Sequence, residues 1–129
     1  MSVFPENLAA RAGFEGPQIV VTWDNLDLTS IDGYKIMRKK VSYPVDADDG
    51  KLMVEEYGAG PFQTSFVDTE VETGEVYYYQ MFTREIGTGD LKTGIIARVS
   101  ALALETQFFR KRLFTLLPPL YTQADQGIM

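Results

Sequence analysis

The chain has 129 residues, a formal net charge of −6 and a pI near 4.6, with 45% apolar and 23% charged residues. That composition fits one globular domain with a tail, large enough to bury a core without staples. Cysteine and histidine are both absent, which excludes disulfides, thiolate nucleophiles, serine-histidine and cysteine-histidine catalysis, and the commonest zinc ligands. The acidic balance disfavours nucleic acid and anionic membranes, since phosphate contacts need clustered positive charge. No stretch approaches the ~18 apolar residues of a membrane span. The N-terminal segment lacks a basic opening and an apolar core, so no secretory signal is expected and synthesis in a cytoplasm is.

Pro5, Gly13, Gly16 and Pro17 punctuate a loop-like beginning in which Leu8 and Ala10 suggest a short edge strand. Gln18 to Trp23 alternates clearly and places Ile19, Val21 and Trp23, the single tryptophan, on one face. After a loop from Asp24 to Asp32, Tyr34 to Val41 reads as a strand with Tyr34 and Ile36 inward and Lys35, Met37 and Lys39 outward. The basic cluster Arg38-Lys39-Lys40 is read as a solvated strand face.

The acidic stretch from Ser42 to Gly50 fails as a calcium loop, because Val45 and Ala47 fall where carboxylates are needed, and it reads as a turn. Lys51 to Tyr57 and Gln63 to Asp68 are further short strands, with Phe66 inward. Val71 to Thr83 follows, a Thr73-Gly74 turn leading into Val76-Tyr77-Tyr78-Tyr79-Gln80-Met81-Phe82. Tyr77, Tyr79 and Met81 share one face of that strand, and Val76, Tyr78, Gln80 and Phe82 the other. Tyr77, with Val71 as its packing partner, suits a tyrosine corner, in which a buried ring returns its hydroxyl to the backbone just upstream. The glycines of Gly87-Thr88-Gly89 make a hairpin loop, not a phosphate loop, and Lys92 to Ala101 is the last strand, with Ile95, Ala97 and Val99 on one face. Seven strands with turn chemistry between them imply an all-β sandwich.

From about Pro5 to Ala103 the chain resembles a fibronectin type III domain. The resemblance rests on Pro5-Glu6-Asn7-Leu8, Ile19-Val20-Val21-Thr22-Trp23, Gly33-Tyr34-Lys35-Ile36 and Val71-Glu72-Thr73-Gly74-Glu75-Val76-Tyr77, with Val71 and Thr73 where the family usually has leucine and proline. It implies a seven-stranded, immunoglobulin-like β-sandwich over residues 1–103, with Trp23, Tyr34, Ile36, Tyr77 and Tyr79 in the core. The Arg-Gly-Asp motif of the family is absent, so integrin recognition is not carried over. The middle of the chain is similar to bacterial and phage versions of the domain, which occur in glycan-active enzymes and in phage tail and baseplate proteins.

Beyond the sandwich, residues 104–129 are expected to form a helical and extended docking segment. Phe109, Leu113, Leu116 and Leu117 recur at helical spacing and are the candidate partner-binding residues, and Pro118-Pro119 stops the short helix. This stripe folds back on its own sandwich, docks on another chain, or lies on a membrane surface, the last being least suited to an acidic protein. Leu116 to Asp125 also resembles the opening of phage tail proteins of the tail protein I type. The combined resemblance implies a non-catalytic virion protein, made in the host cytoplasm, with other tail or baseplate proteins or its own copies as partners. It implies no cofactor, metal, nucleic acid or membrane. The alternative is a glycan-binding or spacer module, for which Tyr78, Phe82 and Tyr57 are the candidate platform. Catalysis by the carboxylate pairs Asp46 and Asp49 or Glu55 and Glu56 is the least favoured reading, since no cleft accompanies them.

Overall fold

A computed structural model describes residues 3–104 of the chain. The expected helix and docking segment, with Phe109, Leu113, Leu116 and Leu117, lie outside the described residues.

The described part is all-β apart from one short 3-10 turn, Ile95–Ala97. In chain order the strands are β1 (Ala9–Ala12), β2 (Ile19–Thr22), β3 (Ile31–Lys39), β4 (Lys51–Tyr57), β5 (Ser65–Asp68), β6 (Val76–Glu85), β7 (Leu91–Lys92) and β8 (Arg98–Leu102). One sheet has the order β1-β2-β5; the other runs β4-β3-β6-β7, with β8 also pairing β6. All the strand pairs are antiparallel. The two sheets pack as a sandwich on inward-facing Ile19, Val21, Tyr34, Ile36, Tyr77, Tyr79 and Met81, all at most 1% exposed. Trp23, just past β2, joins this core at 4% exposure. Its ring meets Tyr34 of the opposite sheet edge-on at 5.6 Å and Phe66, on the β5 strand beside β2, at 6.5 Å.

Among the described residues the strand count is eight, not seven. The expected last strand, Lys92 to Ala101, is broken: β7 pairs with Thr83 and Arg84 of β6, β8 with Val76 to Gln80, and residues 93–97 leave the ladder between them. The cause is local. Gln80 turns its side-chain amide into the gap and donates to Thr93 Oγ1 and, at 2.9 Å, to the Gly94 carbonyl. Ile95 is consequently 81% exposed while Ala97 is fully buried, so the expected common face of Ile95, Ala97 and Val99 does not form.

The outer face of the larger sheet also departs from simple alternation. Met37, Gln80 and Phe82 point away from the core, yet they are only 4%, 0% and 3% exposed. The acidic loop after β3 folds back onto this face of the sheet. Asp49 reaches Lys39 at 3.0 Å, Asp48 reaches Lys35 at 3.9 Å, and Tyr43 meets Tyr78 edge-on at 5.0 Å. Gly50 ends this loop at φ 101°, with room for no Cβ, since one would sit 2.5 Å from the Arg38 carbonyl oxygen.

Candidate functional site

Three groups of polar side chains draw attention, and two of them hold the fold together. Arg38 shares the inward parity of Tyr34 and Ile36 and is not part of a solvated basic face. Its Nη1 donates at 2.8 Å to Asp68 Oδ2 at the end of β5, joining the two sheets, and its guanidinium lies 4.9 Å from the Tyr77 ring centroid. The same oxygen accepts from the Tyr79 hydroxyl at 2.6 Å, and Asp68 Oδ1 accepts from the Glu70 amide at 3.0 Å. Asp68 is 1% exposed, and its lone pairs are engaged on both oxygens. Burial, and after it the bond to Asp68, pushes the Tyr79 hydroxyl far above its ordinary pKa.

The second group is the Tyr34 hydroxyl with the Glu56 carboxylate, which also accepts from the Gln63 amide at 3.1 Å. Burial is again the main reason that Tyr34 titrates far above the ordinary range. Of the carboxylate pairs weighed for chemistry, Glu56 is therefore committed to a core tyrosine. Asp46 and Asp49 are committed to their own loop: Asp46 Oδ1 accepts from the Asp48 amide at 2.9 Å, and Asp49 Oδ2 accepts from the Val45 amide at 2.8 Å and from Lys39. These bonds hold the Asp49 carboxyl below the usual aspartate range.

The third group lines a cavity of about 420 Å³ between the acidic loop and the outer face of β6 and β8. Tyr43, Pro44 and Val45 come from the loop, Gln80 and Arg98 from neighbouring strands, and Thr93 from the break after β7. The Arg98 guanidinium sits 4.7 Å from the Tyr43 ring centroid. Gln80 and Arg98 are direct register partners on β6 and β8. Even so, Gln80 Oε1 and Arg98 Nε are both buried and without a hydrogen-bond partner.

The aromatic residues weighed as a sugar platform do not come together. Phe82 is buried, and Tyr78 and Tyr57 sit near opposite ends of the sheet, opposite Lys39 and Gly33. The Tyr57 ring covers Gly33, where an added Cβ would lie 2.1 Å from it, and takes the Arg84 guanidinium at 4.6 Å. The sequence reading missed Arg38 and Asp68, although strand parity pointed Arg38 inward. It also missed Arg98, whose role depends on a loop some 50 residues earlier in the chain.

Among solved structures, the chain is similar to a Fn3-like protein from Clostridium thermocellum, with 21% identity over 79% of this chain and 90% of that one, at a TM-score of 0.53. It is similar also to a structure described as that of a myokine, at 19% identity, covering 79% of this chain and 97% of the other, with a TM-score of 0.54. No family model and no curated protein matches the chain. At such identities the likeness is one of fold: this is a fibronectin type III-like β-sandwich.

Proposed function

We propose that the chain is a non-catalytic structural protein of a phage tail or baseplate. The sandwich serves as a rigid module, and the segment from 104 to 129 anchors it to neighbouring virion proteins or to further copies of itself. The observation carrying the non-catalytic part is the commitment of the buried ionisable groups. Asp68, Arg38 and the two core tyrosines bond one another or the backbone across the sandwich, which leaves that cluster no free acid, base or nucleophile. The virion part rests on the resemblance of Leu116 to Asp125 to tail protein I openings and on the apolar stripe Phe109, Leu113, Leu116 and Leu117. A sandwich with a filled core leaves such a stripe in need of another surface.

Light scattering with chromatography on the full chain and on a version stopped after Leu104 tests this reading. Self-association of the full chain beside a monomeric truncated one is the expected result. Phe109→Ala and Leu113→Ala should weaken that association several-fold and leave the unfolding midpoint of the sandwich unchanged. Two clean monomers with the same midpoint would replace the anchor with a spacer module.

A further inference from the structure

The cavity beside the acidic loop contains a mismatch that the fold does not resolve. Gln80 Oε1 is an acceptor and Arg98 Nε a donor; they belong to residues directly opposite each other, and neither has a partner. The orientation of the Gln80 amide is fixed at its other end, because the Gly94 carbonyl can only accept and so demands the nitrogen. Nor does any carboxylate of the described residues lie within ion-pair distance of Arg98. Leaving two such groups buried and unpaired is costly. Inserting one group that both donates and accepts satisfies them together.

We propose that this cavity binds an extended peptide segment of a partner protein through one apolar residue. In an extended strand the N–H and C=O of a single residue point to the same side, as they do in the hydrogen-bonded pairs of an antiparallel ladder. The N–H donates to Gln80 Oε1 and the C=O accepts from Arg98 Nε. The apolar side chain of that residue rests on Pro44 and Val45, the latter 78% exposed, with Val41 at 87% on the same loop. The volume of about 420 Å³ accommodates one residue and its flanking peptide units. A sugar hydroxyl also donates and accepts, but a peptide unit presents its N–H and C=O as two separate groups at a fixed spacing, which suits an acceptor and a donor on neighbouring strands. Since both orphaned atoms are shut off from solvent, the peptide enters by drawing the Tyr43 ring away from Arg98. This site lies on the sandwich itself and is independent of the C-terminal anchor.

The test uses the full chain, labelled with 15N, titrated with N-acetyl-leucine N-methylamide and separately with methyl β-glucopyranoside. The expected result is millimolar binding of the amide, with shifts at the Gln80 side-chain amide, Arg98 Nε–H and the Tyr43 backbone. Arg98→Met, at a partly exposed strand position, is expected to weaken that binding about tenfold. Gln80→Met should do the same if it folds. The proposal is overturned by any of three results: no shifts at these groups at the solubility limit of the amide, equal affinity in Arg98→Met, or binding of the glucoside without the amide. A bound water alone bridging the two groups would appear as the first of these.

Discussion

At the residue scale the ion pair between Arg38 and Asp68 ties the two sheets together inside the sandwich. The two side chains are 11% and 0% exposed, so removing one leaves the other charged, buried and unpaired. Arg38→Met should cost about 3–5 kcal/mol in urea unfolding, and adding Asp68→Asn should recover part of that loss, since the remaining charge goes with it. Tyr34 and Tyr79 carry a related prediction at alkaline pH. Both hydroxyls titrate well above the ordinary value in the folded chain, so the neutral form is favoured by folding. Their contribution is complete below the unfolded value, about pH 10, and is lost as the pH rises beyond it. Ultraviolet titration should therefore find both tyrosines protonated until the chain unfolds; two smooth, reversible ionisations near pH 10 in the folded protein would contradict their burial. Strand parity makes the inward direction of Arg38 legible in the sequence. Its partner is not, because Asp68 is 30 residues away on the opposite sheet, and no local pattern pairs them.

At the scale of elements, the turn before β6 is the part most legible from residues alone. The Glu72 amide donates to the Tyr77 hydroxyl at 2.8 Å across only five positions, with Val71 buried in the same core cluster. A motif so local leaves its signature in adjacent residues. Tyr77→Phe keeps the ring and removes the acceptor, and should cost about 1–2 kcal/mol, measured by thermal or urea unfolding. The break between β7 and β8 was less legible, although Gly94 inside a strand pattern is a physical signal for a bend. The fold of the acidic loop over Lys35 and Lys39 was illegible, because it depends on long-range pairs. That loop supplies an acid-limb prediction. The Val45 amide and then Lys39 depress the Asp49 carboxyl, and Thr29 does the same for Asp27. A carboxylate with a depressed folded value stabilises the fold above its unfolded value, about pH 4, and loses that effect as the pH falls through the folded one. Unfolding temperatures should thus decline on the acid side, and Asp49→Asn should make the decline shallower.

For the whole molecule, the sequence reading reached the two-sheet architecture because alternation, turn residues and the order of short strands agree across levels. The cavity stayed out of reach for the opposite reason: it joins the loop after β3, the middle of β6 and the break that leads into β8, three segments well separated in sequence. The exit of the chain from the sandwich is similarly composite. Leu104 bridges Gln18, the Ala103 amide donates to the Glu75 carbonyl at 2.9 Å, and the Ala103 carbonyl accepts from Gly74 at 2.8 Å. Tension applied at Leu104 is thus delivered first to the Glu72–Glu75 turn and to the start of β2, before it reaches the ladder between β6 and β8. The turn that orients Tyr77 also bears the mechanical load of whatever hangs beyond it.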